Sequence, residues 1–142
     1  MKPNAFTLLE MLLVLSISLT MISLTIFPIS NSLSALNEKL LLEEMKASIY
    51  YAQLYAITSS QDTTISFTPT DNKLSASTVN NTLFTVPLSP IIKLNQKKAE
   101  KFRFSSLDGS INRFTTIHFT GSSKNYQLIF QIGKGRFRFE QD

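Results

Sequence analysis

The sequence predicts an α+β fold in which a long N-terminal helix, membrane-spanning in its first half, packs on a small antiparallel β-sheet. Residues 6–27 are almost wholly apolar, and helix-forming residues continue without glycine or proline from residue 31 to residue 58. After Asp62 the chain changes to short runs that alternate apolar and polar residues between turn residues. Such alternation is typical of antiparallel strands with one buried face.

The first thirty residues predict a membrane anchor. A helix over residues 6–27 would measure about 33 Å at about 1.5 Å per residue, which matches a bilayer core of roughly 30 Å. Lys2, in the short polar segment before this stretch, favours a cytoplasmic N-terminus. The alternative is a removable secretory signal peptide with a weak cleavage site at Ser32 and Ser34, although the apolar region of such peptides is usually only about 7–15 residues long.

Glu10 is the single charged residue between residues 6 and 27. A carboxylate inside a membrane helix costs about 2.5–3.5 kcal/mol on insertion scales, so it is seldom there without a reason. Two interpretations are open: Glu10 lies near the helix end and reaches the interface, or it pairs with a positive group within the membrane. Pro28 closes the apolar run, where proline either ends the helix or bends it.

The stretch Ala5-Phe6-Thr7-Leu8-Leu9-Glu10, followed by a long apolar run, resembles the processing site of type IV prepilins. The resemblance implies that a prepilin peptidase cuts between Ala5 and Phe6 and that the new amine of Phe6 is methylated. It also implies that Glu10 pairs with the terminal amine of a neighbouring subunit during assembly, which lowers the cost of both charges in lipid. The family usually has glycine where this chain has Ala5, so we expect slower processing.

On this interpretation the chain has four segments: a leader peptide over 1–5, a transmembrane helix over 6–29, an amphipathic continuation of that helix over 30–62, and a β-rich extracellular head over 63–142. We expect a single-pass protein of the cell membrane whose N-terminus is cytoplasmic before processing. Its head would lie outside the membrane, at the cell surface or in a pilus.

The amphipathic continuation carries two apolar stripes on roughly opposite faces of the helix, at about 100° per residue. A helix on a protein surface needs only one such stripe. Either both are buried within one head, or one contacts the head and the other contacts further subunits. We favour the second interpretation because the rest of the chain is too short to wrap the helix. The stripes are Leu33, Leu36, Leu40, Ala47, Tyr51 and Leu54, and Leu42, Met45, Ile49, Ala52 and Ala56.

Within the head, residues 64–67 and 73–77 predict a hairpin around Pro69-Thr70-Asp71-Asn72. Residues 82–86 predict another short strand, and residues 93–101 predict a mobile polar loop. From residue 102 to residue 139, alternating phenylalanines and turn residues predict an antiparallel meander with one face on a core.

The run from Phe102 to Phe139, which closes with Gly133-Lys134-Gly135-Arg136-Phe137-Arg138-Phe139, looks like the end of minor pilins of the ComGD type, from competence systems of Gram-positive bacteria. This resemblance implies a minor pilin of a competence type IV pilus, a fibre used for DNA uptake in transformation, with other pilin subunits as partners. A pseudopilin of type II secretion has the same processing motif and is the alternative in the same class.

Composition excludes several kinds of chemistry. The chain has no cysteine, no tryptophan and one histidine, His118, which excludes disulfides, thiol catalysis and zinc sites built on cysteine or histidine clusters. No nucleophile and base stand out as a pair, and Gly133-Lys134-Gly135 lacks the spacing of a phosphate-binding loop. We expect no catalytic residue, no metal and no cofactor.

The C-terminal half is strongly basic, with ten basic residues against two acidic ones between residues 93 and 138. Arg103, Arg136 and Arg138 alternate with phenylalanines and would share the outer face of a sheet if their strands adjoin, with Lys134 near them. Such a face can bind DNA phosphates, contact acidic residues of a partner pilin, or be a solvated edge that discourages aggregation. A membrane-anchored DNA-binding module is therefore the alternative from a different class.

Overall fold

The computed structural model describes residues 7–88, 90–122, 124–131 and 135–141, without the side chains of residues 25–31. The chain divides into two compact units, Met1–Ser34 and Ala35–Asp142. Helix α1 is assigned over Leu8–Ser59 and contributes residues to both units. The α+β class, with helix packed on antiparallel sheet, is confirmed.

In the first unit, every described side chain of α1 is exposed, including large apolar ones such as Leu8, Leu15 and Leu24. Thr7 precedes the helix and caps it, because its Oγ1 accepts a hydrogen bond from the Glu10 N–H at 3.3 Å. Within the part of the chain that the structure describes, no helical stretch combines the length and the apolarity needed for a membrane crossing. Phe6, the side chains of residues 25–29 and the predicted bend or end at Pro28 lie outside the described set.

In the second unit, α1 presents opposite faces to the core and to solvent. Four members of the second predicted stripe, Met45, Ile49, Ala52 and Ala56, are completely buried, and Leu42 packs against the core at its border. The helix ends in a Schellman motif, with hydrogen bonds from Gln61 N to Ala56 O (3.2 Å) and from Ser60 N to Ile57 O (3.4 Å).

The head contains two antiparallel sheets of four strands each, rather than the single small sheet predicted from the sequence. The first sheet has the order β3-β2-β1-β5. Its strands are β1 (Thr63–Thr68), β2 (Lys73–Ser77), β3 (Thr82–Pro87) and β5 (Glu100–Phe104). The predicted hairpin of residues 64–67 and 73–77 is confirmed, with Phe67 opposite Leu74.

The second sheet has the order β4-β6-β7-β8. Its strands are β4 (Lys93–Leu94), β6 (Thr115–Thr120), β7 (Asn125–Phe130) and β8 (Phe137–Gln141). The predicted meander is confirmed for β6, β7 and β8. It was wrong to include residues 102–104, because β5 pairs with β1 in the first sheet. The loop predicted over residues 93–101 was also wrong, because it contains β4 and the start of β5.

One core lies between α1 and the inner faces of both sheets. Phenylalanines join the two sheets: the ring of Phe67 meets that of Phe119 edge-on at 5.9 Å between centroids, and the rings of Phe102 and Phe130 are 4.2 Å apart. Asn72 adds a polar link between the sheets, because its amide donates to Ile92 O (2.7 Å) and its Oδ1 accepts from Leu94 N (2.8 Å). Its φ of 45° lies in the left-handed region that asparagine tolerates.

Candidate functional site

The predicted processing site, Ala5 and Phe6, lies outside the described residues. Glu10, the predicted assembly residue, is exposed in the first turn of α1. Thr7 and Glu10 have the spacing of a capping box, in which serine or threonine caps the helix and glutamate or glutamine follows three residues later. A carboxylate in this turn is also favoured by the partial positive charge of the helix N-terminus. Glu10 therefore supports the start of the helix.

Three hydroxyl groups along the apolar part of α1 donate hydrogen bonds to backbone carbonyls of the same helix. Ser18 Oγ donates to Val14 O at 2.8 Å, Thr20 Oγ1 donates to Ile17 O at 2.8 Å, and Ser23 Oγ donates to Leu19 O at 2.9 Å. A polar group without a partner costs several kcal/mol in an apolar medium. These bonds remove that cost for the three hydroxyls without help from water.

The first predicted stripe of α1 forms an exposed apolar surface in the second unit. The exposed fraction is 52% for Leu36, 58% for Leu40, 52% for Tyr51 and 60% for Leu54. The second stripe occupies the core at the same time, so the head covers one face of the helix and leaves the other uncovered. We call the surface of Leu36, Leu40, Ala47, Tyr51 and Leu54 the outer stripe.

A buried carboxylate fastens the helix to the second sheet. Glu38 is only 2% exposed. Its Oε2 accepts hydrogen bonds from Ser122 N at 3.1 Å and from Ser122 Oγ at 2.5 Å, in the turn between β6 and β7. Gly121 lies directly beside it, and a Cβ at this position would displace the carboxylate of Glu38. We call these three residues the Glu38 clamp.

The surroundings of Glu38 keep it ionised. Burial alone would raise its pKa, but the hydrogen bonds from Ser122, the hydroxyl of Tyr126 and the charge of Lys124 together hold the pKa below its ordinary value of 4.5. In turn, burial and the neighbouring Glu38 carboxylate raise the pKa of Tyr126 to about 12. Tyr126 is therefore a neutral hydroxyl donor at any physiological pH.

A second polar contact fastens the helix nearer its end. The side-chain amide of Gln53 donates to Gly109 O at 2.9 Å. Gly109 and Gly135 have φ angles of +67° and +63°, which side chains rarely adopt, and a Cβ on either would press against Gln53. The turn predicted at Gly109 thus approaches the helix closely, which explains the need for glycine there.

The structure separates the arginines that the sequence grouped. Arg103 lies on β5 of the first sheet, whereas Arg138 lies on β8 of the second. Arg103 Nη1 is 3.4 Å from Asp62 Oδ2, and Arg138 Nε is 2.7 Å from Glu140 Oε1. Arg136 is exposed, and Lys134 lies outside the described residues. These residues do not form the shared sheet face that was predicted, because β5 and β8 do not adjoin.

An open groove of about 510 Å³ runs between α1 and the edge strand β8. Its walls contain the aromatic rings of Tyr50 and Phe137, whose centroids are 4.5 Å apart, and charged side chains of both signs. Glu43 is 3.8 Å from Lys46, and Arg138 pairs with Glu140, so much of this charge is already balanced. Among the described residues, no three His, Asp or Glu side chains gather as metal ligands.

No protein-family model, curated protein or solved structure matches this chain.

Two features of the site were missed in the sequence. The spacing of Thr7 and Glu10 would have predicted the helix cap, because it is a known capping pattern. The partners of Glu38 could not be found in this way, because Ser122 is 84 residues away along the chain. Only the pairing of β6 with β7 and the position of that turn against α1 bring the two together.

Proposed function

We propose that this chain is a minor pilin-type subunit of a competence type IV pilus, which takes part in DNA uptake and assembles through its N-terminal helix. The observation that carries the proposal is the stretch from Ala5 to Glu10 followed by an apolar run. In this proposal a prepilin peptidase removes residues 1–5, the amine of Phe6 is methylated, and a single long helix anchors the subunit in the cell membrane. The head lies on the outer side.

The described residues support this proposal in two ways. In the apolar part of α1, Ser18, Thr20 and Ser23 bond their hydroxyls to the helix backbone, which suits a helix in contact with lipid or with other apolar helices. The outer stripe is an apolar surface on the face of the helix opposite the core, and exposed patches of this kind are typical of interaction sites. Neighbouring subunits would cover it in a fibre.

The proposed role of Glu10 is to pair with the amine of Phe6 on a neighbouring subunit. Each charge is costly alone in an apolar environment, and pairing lowers both costs. The specific assignment to competence rests on the likeness of the C-terminal run, and a pseudopilin of type II secretion stays the alternative. No catalytic step is proposed for the chain.

The deciding measurement is the N-terminal residue of the protein recovered from cells with and without a prepilin peptidase, by mass spectrometry. We expect a start at methylated Phe6 only when the peptidase is present. An intact Met1 in both strains, or a start beyond Ser32, would contradict the proposal. Ala5→Gly is the matched variant, and it should be processed at least as fast.

The role of Glu10 is tested separately with Glu10→Gln. Glutamine also serves in a capping box, so this variant removes the charge and retains the helix cap. We expect normal cleavage at Phe6 with loss of incorporation into fibres. Incorporation at the normal level would exclude the charge of Glu10 from assembly.

A further inference from the structure

The first sheet has an outward face made of hydroxyls and cations. Alternate residues of β1, β2 and β5 point away from the core, and a register shift between β2 and β3 brings Thr82 and Thr85 of β3 to the same face. The outward residues form three rows across the sheet. The face consists of Thr64, Ser66 and Thr68 on β1, Lys73, Ser75 and Ser77 on β2, Thr82, Thr85 and Pro87 on β3, and Lys101 and Arg103 on β5. We call it the hydroxyl face.

The rows place the cations beside the hydroxyls. Ser66 is opposite Lys101 on one side and Ser75 on the other, and Thr64 is opposite Arg103 in the next row. Lys101 and Arg103 stand two residues apart, about 6.6 Å along the strand. In the part of the chain that the structure describes, the hydroxyls of this face donate no hydrogen bond to another protein group.

The charge of the hydroxyl face is positive. Its three charged positions, Lys73, Lys101 and Arg103, are all basic. Carboxylates occur only at the margin, where Asp71 lies 2.5 Å from Lys73 and Asp62 lies 3.4 Å from Arg103. Exposed pairs of this kind contribute little free energy, at most about 1 kcal/mol, so a stronger anion can replace them.

We propose that the hydroxyl face binds the phosphate backbone of duplex DNA without reading its sequence, an inference that rests on the proposed role in DNA uptake. Arginine, lysine, serine and threonine side chains are the groups that contact phosphate and sugar in protein–DNA complexes. Charge complementarity selects a polyanion, and the free hydroxyls add neutral donors for phosphate oxygens. The outward positions carry no aromatic ring, so the face lacks the stacking platform that single strands require.

The test measures binding of the full-length protein in detergent to a fluorescent 20-base-pair duplex over a series of salt concentrations. The variant carries Lys73→Gln, Lys101→Gln and Arg103→Gln. We expect its affinity at 0.1 M salt to fall roughly 10- to 100-fold, and the slope of log K against log salt to decrease by about 2.7, at about 0.9 per lost phosphate contact. Equal affinity of wild type and variant would overturn the proposal.

The matched control removes the same charge elsewhere, through Lys39→Gln, Lys46→Gln and Lys93→Gln on α1 and β4. All three lysines are exposed and lie off the first sheet. The control should bind nearly as well as the wild type, since it retains the hydroxyl face. An equal loss in both triple variants would mean that net charge alone attracts DNA, and would overturn the proposal.

Two further variants separate binding from folding. Lys101→Gln alone removes a cation without an ion pair in the described part of the chain, and should decrease the slope by about 0.9. Thr64→Val with Thr85→Val keeps the shape and charge of the face, and should weaken binding with the slope unchanged. Unchanged binding of both variants would overturn the assignment of this face.

Competition identifies the partner. We expect duplex DNA to bind more tightly than a single strand of the same length, and heparin to compete less well than duplex at equal charge. A preference for the single strand or for heparin would overturn duplex DNA as the ligand. Cleavage at Phe6 without DNA binding would leave the proposed function standing and reject this inference, and DNA binding without cleavage would reject the proposed function alone.

Discussion

Glu38 illustrates how a single polar residue can define the position of a helix on a sheet. Its carboxylate is buried yet ionised, because the Ser122 N–H, the Ser122 hydroxyl and the Tyr126 hydroxyl offset the cost of burial. Hydrogen bonds to a charged group contribute about 1.5–3 kcal/mol, more than those between neutral groups. The Glu38 clamp is therefore both an anchor for α1 and a source of pH dependence.

We predict that Glu38→Gln lowers the free energy of unfolding at pH 7 by about 1–3 kcal/mol. The amide keeps the shape of the side chain but loses the charge that strengthens both bonds from Ser122. Denaturation of the full-length protein in detergent, followed by circular dichroism, measures the change. Glu44→Gln is the control, since Glu44 is exposed on the same helix and should change the free energy by less than about 0.5 kcal/mol.

The pH dependence of this effect has a definite sign. The pKa of Glu38 is lower in the folded protein than its ordinary value of 4.5, so the unfolded chain binds the proton more readily. The stabilisation is therefore fully present above pH 4.5 and is lost as the pH falls through the folded pKa. The wild type and Glu38→Gln should thus become more alike in stability in acid. A difference that stays constant from pH 7 to pH 3 would show that the charge is irrelevant.

At the scale of elements, local pattern predicted most strands and both faces of the helix. The hairpin of β1 and β2 follows from alternation around a turn of proline, aspartate and asparagine, all of which lie close together in sequence. The buried face of α1 follows from spacings of three and four residues. These features depend on neighbours within a few residues, so the sequence contains the information directly.

Pairing across long separations could not be predicted in the same way. Phe102 and Phe104 alternate with polar residues as the strands of the second sheet do, but β5 joins β1 about 40 residues earlier. Alternation identifies which residues face a core and does not identify the partner strand. For the same reason the sequence grouped Arg103 with Arg136 and Arg138, whereas the structure places Arg103 on β5 of the first sheet, Arg138 on β8 of the second, and Arg136 just before β8.

The end of α1 offers a prediction at this scale. Ser60 has a φ of 52°, a left-handed conformation that costs a residue with a side chain roughly 1–2 kcal/mol. Glycine adopts it freely but loses more entropy on folding, about 0.5–1 kcal/mol. We therefore expect Ser60→Gly to raise the free energy of unfolding by about 0.5 kcal/mol, a net effect of these two costs. The change is measured by comparing the midpoint temperature of thermal unfolding between Ser60→Gly and the wild type.

The control for this prediction is the preceding residue. Ser59 is the last residue of α1, where helical geometry gives glycine no advantage, so Ser59→Gly should lower stability by about 0.5–1 kcal/mol. A decrease in stability for both variants would mean that the Schellman motif does not determine where the helix ends.

At the scale of the whole molecule, the head covers only one of the two apolar stripes of α1. The two sheets enclose one face of α1 with large phenylalanines and leave the outer stripe uncovered. Two apolar stripes on one helix predict that a small head leaves one stripe uncovered, and the structure shows which stripe the head covers. In the proposed assembly, neighbouring subunits cover the other stripe, because an apolar surface in water favours association.

The two stripes should respond oppositely to substitution. Ile49→Ala, in the core, should lower the free energy of unfolding by about 2–5 kcal/mol, whereas Leu40→Gln and Leu54→Gln on the outer stripe should change it by less than about 0.5 kcal/mol. In the proposed assembly neighbouring subunits pack on the outer stripe, so these variants, which place polar groups there, should nevertheless fail to enter fibres. Denaturation of the purified protein measures the free energy of unfolding, and the amount of subunit in sheared fibres measures incorporation. Normal incorporation of both outer-stripe variants would exclude this surface from assembly, and a loss of stability equal to that of Ile49→Ala would mean that the stripe is buried within the single chain.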